Sequence, residues 1–283
     1  MSVIFADSNC ELWYTMVPEL GYELIKMPYT IDDEEVFYDL GKTVDSKSFF
    51  DKVRKGSMPI TSALNPTQYT EIFEPFFKSG EDMLYISFSA ELSATFNHME
   101  TALSALRAKY PTAKFRHFDT RNISWGAGLQ VYYAVKQFQM GKSLDEVVAF
   151  LEDFKDRIGV YFMVDSLHHL KKGGRLTSFQ AALGTLLSVK PILTVTDGKL
   201  GVTTKVNGVT KAIGYIAEQV KAKITDTDKY PIVVVDADNP EAADKMVSKL
   251  KETLGEVEIW RYPVGPVIGT HCGPGTIGII FHA

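Results

Sequence analysis

Residues 83–96, Met83-Leu84-Tyr85-Ile86-Ser87-Phe88-Ser89-Ala90-Glu91-Leu92-Ser93-Ala94-Thr95-Phe96, carry the reading that decides the fold. The apolar run Met83–Phe88 suits a buried strand; it leads through Ser89, Ser93 and Thr95 directly into a helical pattern. Phe96, Met99, Leu103 and Leu106 recur at helical spacing, so one face of that helix is apolar, and Pro111 ends it. A strand, a short polar connection and an amphipathic helix make up the repeating unit of an α/β sheet. Free backbone N–H groups and the helix dipole favour an anion at such a connection, so Ser93 and Thr95 read as holders of a carboxylate or phosphate. Ser93 reads equally well as a helix N-cap.

Working outward, Val3–Ala6 and Lys114–Phe118 read as further strands of the same sheet. Asp7-Ser8 follows the first of them, where open α/β sheets place ligand-facing loops, although an Asp there also serves as turn former or cap. Thr61-Ser62 lies in a loop bounded by Pro59 and Pro66, where hydroxyls commonly satisfy backbone groups. Ser143-Leu144-Asp145-Glu146 is a capping-box pattern; Leu144, Val147, Val148, Leu151 and Phe154 form a stripe predicted to face the sheet. Ile158–Val164 starts a region of different character. A Gly-rich basic loop and a short helix precede hairpin strands Ile192–Thr196 and Leu200–Lys205, split by Asp197-Gly198. A helix carrying Val209, Ala212, Ile213, Ile216 and Val220, strand Ile232–Val235, another helix and strands Val257–Tyr262 and Ile277–Phe281 complete the chain. The expectation is an α/β fold with an N-terminal parallel-sheet domain over 1–157 and a C-terminal α+β domain over 158–283.

The 283 residues, 45% hydrophobic and 23% charged, suffice for a sizeable core in two medium domains. A formal charge of -5 argues against nucleic acid as partner. Cys10 and Cys272 are too few for a disulfide framework and lack zinc-ligand spacing, which fits a cytoplasmic setting. Val3-Ile4-Phe5-Ala6 is too short for a signal peptide, and no apolar run reaches membrane-spanning length. The expectation is therefore a cytoplasmic protein whose membrane contact is at most transient.

Two glycine-rich segments hold the remaining candidates. Lys171-Lys172-Gly173-Gly174-Arg175 is a compact basic loop without the phosphate-loop pattern, so ATP binding has no support there. Gly265–Gly275 packs glycines and prolines around His271 and reads as a tightly determined loop presenting that ring in a fixed direction. Serines and a histidine also allow an acyl hydrolase, with Ser93 as nucleophile, His271 as base and Asp7 or Asp119 as orienter, but the nucleophile-elbow pattern is missing. The other histidines show no metal-binding pattern, and neither a metal nor a cofactor is expected.

Taken together, these segments resemble the DegV family of bacterial fatty-acid-binding proteins, which includes the lipid-carrying subunits of fatty acid kinase. The likeness runs in order through Asp7-Ser8, Thr61-Ser62, Ser89 to Thr95, Asp119, Lys171 to Arg175, Lys190-Pro191-Ile192, Asp197-Gly198 with Lys205, and Gly269-Thr270-His271 to Gly275. It implies a Rossmann-like domain and a C-terminal α/β domain enclosing one long-chain fatty acid, such as palmitate or oleate. The carboxylate would be held by Thr61, Ser62, Ser93 and His271, with Thr95, Asp7 and Ser8 as accessory positions and Arg175 facing a partner fatty acid kinase. The chain itself would be non-catalytic, with a substrate-binding subunit related to that of dihydroxyacetone kinase, or a regulatory lipid sensor, as other readings. It departs from the family pattern at Ala94, at Asn207, and at Asn9-Cys10-Glu11, where small residues are usual. Burying about fifteen methylenes at roughly 0.8 kcal/mol each contributes on the order of 12 kcal/mol before ordering costs, so an apolar tunnel is the expected site.

Overall fold

Alternation along three strands of the second half sets the architecture. In β8 (Ile158–Met163), β11 (Ile232–Asp236) and β13 (Ile277–His282), successive side chains point to opposite faces. Tyr161, Met163, Ile232, Val234, Ile277, Ile279 and Phe281 lie on one face, in a core shared with helices Val209–Lys221 and Pro240–Leu254. Val160, Val233, Val235 and Ile280 lie on the other and join the core of the first half. Both faces are thus covered, and the strands read as nearly continuous apolar runs.

The computed structural model describes residues 2–176 and 189–283. Its first sheet is parallel, with order β2-β1-β6-β7, where β1 is Ser2–Asp7, β2 Glu23–Ile25, β6 Asp82–Ser87 and β7 Phe115–Asp119. Ile4 pairs with Leu84, which pairs with Arg116 across the centre. Met83, Leu84, Tyr85 and Ile86 are buried, as a central strand requires. The amphipathic helix forms over Thr95–Lys109 with Phe96, Met99, Leu103 and Leu106 inside. A small antiparallel sheet orders β4 (Glu34–Phe37), β3 (Pro28–Ile31) and β5 (Ile60–Thr61), so Thr61 lies on a strand within a region expected to be loop.

The second large sheet runs β10-β9-β8-β13-β11-β12, with β9 Val189–Thr196, β10 Lys199–Asn207 and β12 Ile259–Pro263. Only the β11–β12 pair in it is parallel. Asp197 and Gly198 both take positive φ, 51° and 80°, in the hairpin turn, as the Asp-Gly signal requires. The capping box at Ser143 and Glu146 forms, starting helix Leu144–Phe154. Its apolar stripe packs chiefly on helix Trp125–Gln139 rather than directly on the sheet, because that helix covers the sheet first. The short helix expected after the basic loop falls on 177–188, outside the described residues.

Two loop expectations are corrected. Pro266–Cys272, within the glycine-rich 265–275 segment, is a helix: Pro266 occupies its first turn and Gly273, at φ 77°, ends it, so the punctuation frames a helix rather than a loop. Lys171 and Lys172 likewise close a short helix, His168–Lys172.

Candidate ligand site

A cavity opens between the inner face of the six-stranded sheet and the carboxyl ends of the parallel strands, where open α/β sheets place ligands. Val160, Phe162, Val235, Gly278 and Ile280 supply the sheet side; Phe88, Leu92 and Ile123, beyond β6 and β7, supply the opposite wall. Its empty volume is about 970 Å³, open solvent at the mouth included, and its lining is predominantly apolar. At Gly278 a Cβ would come within 2.8 Å of Val235 Cγ2, so the missing side chain leaves room for Val235 on the cavity floor.

The polar groups are bound to one another. Thr61 Oγ1 lies 2.9 Å from His271 Nε2, joining the small sheet to helix Pro266–Cys272. Gly173 is what lets the imidazole sit there, since a Cβ on Gly173 would collide with Nδ1. Arg175 Nε donates to the Leu92 carbonyl at 3.0 Å, and its Nη1 donates to the Gly173 carbonyl. Thr61–His271 and Arg175–Leu92 are therefore two hydrogen-bonded pairs that Gly173, bonded to Arg175 and close under His271, brings together at one rim. Burial pushes the His271 imidazole down to about 4, helped by the positive Arg175 and, when it is protonated, by His169, so the ring is neutral at pH 7. Its buried Nδ1 has no hydrogen-bond partner among the described residues.

Both readings of Ser93 have a structural counterpart. Its side chain lines the cavity, while Oγ accepts from the Thr95 backbone N–H at 3.2 Å at the helix start. Thr95 also lines the cavity, and its hydroxyl pairs with Tyr69 at 2.9 Å. Ser62 lies at the exposed mouth.

Three expected positions lie elsewhere. The Asp7 carboxylate accepts from Asn9 N, Tyr85 OH and Phe88 N at 3.0–3.1 Å, and burial raises it to about 6. Ser8 Oγ accepts from Met27 N at 2.9 Å. Both tie the end of β1 to its neighbours and neither lines the cavity, so they act as loop formers. Arg175, expected to face outward to a partner, is half-buried on the cavity rim; the carbonyls of Leu92 and Gly173 draw its guanidinium inward.

The Ser-His-Asp arrangement does not assemble. No carboxylate among the described residues reaches His271 Nδ1; Asp7 is engaged as above, and Asp119 accepts from Ala90 N and Arg121 N. No group of three His, Cys, Asp or Glu side chains among the described residues is arranged to hold a metal. None of their helices is long and apolar enough to cross a membrane.

Sequence reasoning missed Asn9, Ser124 and Glu11. Asn9 and Ser124 line the cavity. Glu11 lies behind Ser124, accepting from its hydroxyl and from Gly265 N at 2.6 Å; burial raises its carboxyl to about 8. A carboxylate between Cys10 and Leu12 carries no periodic signal.

The model of the family described as "Uncharacterised protein, DegV family" matches residues 1–283. A DegV domain-containing protein of Clostridium perfringens is 37% identical over 280 residues, covering 99% of this chain and 96% of that protein. Among solved structures, a DegV family protein from Thermus thermophilus described for its fatty acid binding aligns with a TM-score of 0.87 at 26% identity, covering 99% of both chains. DegV of Bacillus subtilis, described as a fatty acid binding protein, aligns at 0.83 and 29% identity, over 98% of this chain and 97% of that one. With a model match from end to end and a relative of this identity, the chain belongs to the DegV family.

Proposed function

We propose that this protein holds one long-chain fatty acid in the cavity and presents its carboxylate at the rim to a fatty acid kinase. The observation that carries the reading is the pairing of a largely apolar cavity with a small set of polar side chains in its wall, Thr61, Ser93, Arg175 and His271. Burial of the acyl chain supplies the affinity at roughly 0.8 kcal/mol per methylene, while the rim orients the head group. Thr61, Ser62 and Ser93 offer hydroxyls, and neutral His271 offers Nε2, which shares a hydrogen bond with Thr61 Oγ1 in which either atom can donate. Arg175, already on the rim, supplies the positive charge that favours a carboxylate. The two DegV proteins described as binding fatty acids, at 26% and 29% identity, support the ligand class.

In the kinase step a carboxylate oxygen attacks the γ-phosphorus of ATP, and acyl phosphate and ADP leave. The catalytic groups belong to the partner; this chain contributes position. A division into domains at Arg157, just before β8, and a cytoplasmic setting belong to the same proposal; the free thiols of Cys10 and Cys272 agree with the latter.

Native mass spectrometry of protein purified from bacteria, with analysis of the extracted lipid, tests the ligand. The expected result is a mass increment of one saturated or monounsaturated fatty acid. An unliganded mass throughout, with no uptake of palmitate or oleate, would overturn it. Acyl phosphate formed only when a cognate kinase and ATP are both added supports the presentation step; ester hydrolysis by the chain alone, abolished in Ser93→Ala, would replace it with the hydrolase reading.

A further inference from the structure

Most polar side chains on the cavity wall have a partner within the protein. Thr61 pairs with His271, Thr95 with Tyr69, and Ser124 with Glu11. Thr276 donates to the carbonyls of Cys272 and Gly273, and Arg175 to those of Leu92 and Gly173. Asn9 differs. It is 3% exposed, its side chain makes no hydrogen bond among the described residues, and its buried Oδ1 has no donor. Buried amides are normally paired, and an orphaned acceptor among polar neighbours that are already paired calls for a donor from elsewhere.

The chemistry of that donor is restricted. An acyl methylene has no N–H or O–H, and a carboxylate at neutral pH accepts without donating. A hydroxyl does both: it donates to Oδ1 and accepts from Nδ2. Asn9 also has its own means of staying in place, because its backbone N–H donates to Asp7 at 3.0 Å, so the side chain is not needed to hold the turn. Resting on the fatty-acid reading above, we infer that Asn9 is a specificity-determining residue whose amide pairs with a hydroxyl on the acyl chain. The cavity then takes a hydroxylated long-chain fatty acid in preference to the plain acid of the same length.

The test titrates the delipidated full-length protein by calorimetry with stearate and with a series of hydroxystearates differing in hydroxyl position. One positional isomer should bind about five- to tenfold more tightly than stearate, the fold-change of one net hydrogen bond. Its methyl ether, which accepts but cannot donate, should lose that gain. In Asn9→Leu the ratio of hydroxystearate to stearate affinity should fall to near one. An unchanged ratio in that variant would overturn the inference, as would a methyl ether that binds as well as the alcohol. If the leucine variant fails to fold, the alcohol-to-ether comparison on the unaltered protein decides alone. Stearate binding with no isomer preferred overturns this inference while leaving the fatty-acid reading intact; failure of every acid to bind removes both.

Discussion

Two polar contacts join the first half of the chain to the helix Pro266–Cys272, and they are built in opposite ways. At Thr61–His271 two half-buried groups share one hydrogen bond beside the cavity, and Nδ1 of the ring has no partner among the described residues. At Glu11 a fully enclosed carboxyl is saturated by Ser124 and the Gly265 N–H, which precedes the same helix. The difference separates holding from binding. A saturated buried group has nothing left for a ligand, and its removal strands its partners; a partly satisfied group at a cavity rim keeps capacity for one.

Breaking the saturated contact has the largest expected effect. Glu11→Leu leaves the Gly265 N–H and the Ser124 hydroxyl without their acceptor, and should lower unfolding free energy by about 2–4 kcal/mol, read from denaturant midpoints. A loss below a few tenths of that would mean that the two halves are held chiefly by apolar packing.

Disturbing the rim should act on ligand instead. In Gly173→Ala the added Cβ collides with His271 Nδ1, so the ring must move and its bond to Thr61 is lost. The φ of Gly173 is -71°, within the range of any residue, so the effect is steric and not backbone strain. Palmitate affinity should fall about tenfold or more, on the order of 1.4 kcal/mol, while the delipidated protein keeps its thermal transition. Thr61→Val, which keeps shape and removes the hydroxyl, should weaken affinity by about three- to tenfold, on the scale of one hydrogen bond. Unchanged affinity in both would place the carboxylate away from this rim.

The smallest effect is a pH slope. The Glu11 carboxyl is raised from 4.5 to about 8, so between those values the folded chain holds a proton that the unfolded chain has released. That stability is fully present below about 4.5 and is lost as pH rises through about 8. Asp7, raised to about 6, contributes in the same sense but is finished by then. His271, His117, His169 and His282 are all pushed below 6.5 by burial; they act in the opposite sense, and only below that value. Between pH 6.5 and 8 the thermal midpoint should therefore fall with rising pH, and Glu11→Gln should flatten that slope. A slope unaltered in Glu11→Gln would assign it to another group.

Local rules made the elements legible in the sequence. Apolar runs and helical spacings, the Ser143–Glu146 capping box and the Asp197-Gly198 turn each act over a few residues, and each appears close to where it was expected. The family likeness also rested on residues, in order along the chain, and it pointed to Thr61, Ser93 and His271, which line one cavity. Tertiary structure decided what those rules do not reach. It made Pro266–Cys272 a helix by packing it against the helix Ser46–Arg54, and it placed Gly173 under His271. It also turned Arg175 inward onto the Leu92 carbonyl, closed Asp7 and Ser8 into the end of β1, and left Asn9 Oδ1 without a partner among the described residues. Propensity and periodicity depend on neighbours in sequence, whereas the satisfaction of a buried polar group depends on partners more than 80 or even 250 residues away, as with Arg175 and Leu92 or Glu11 and Gly265.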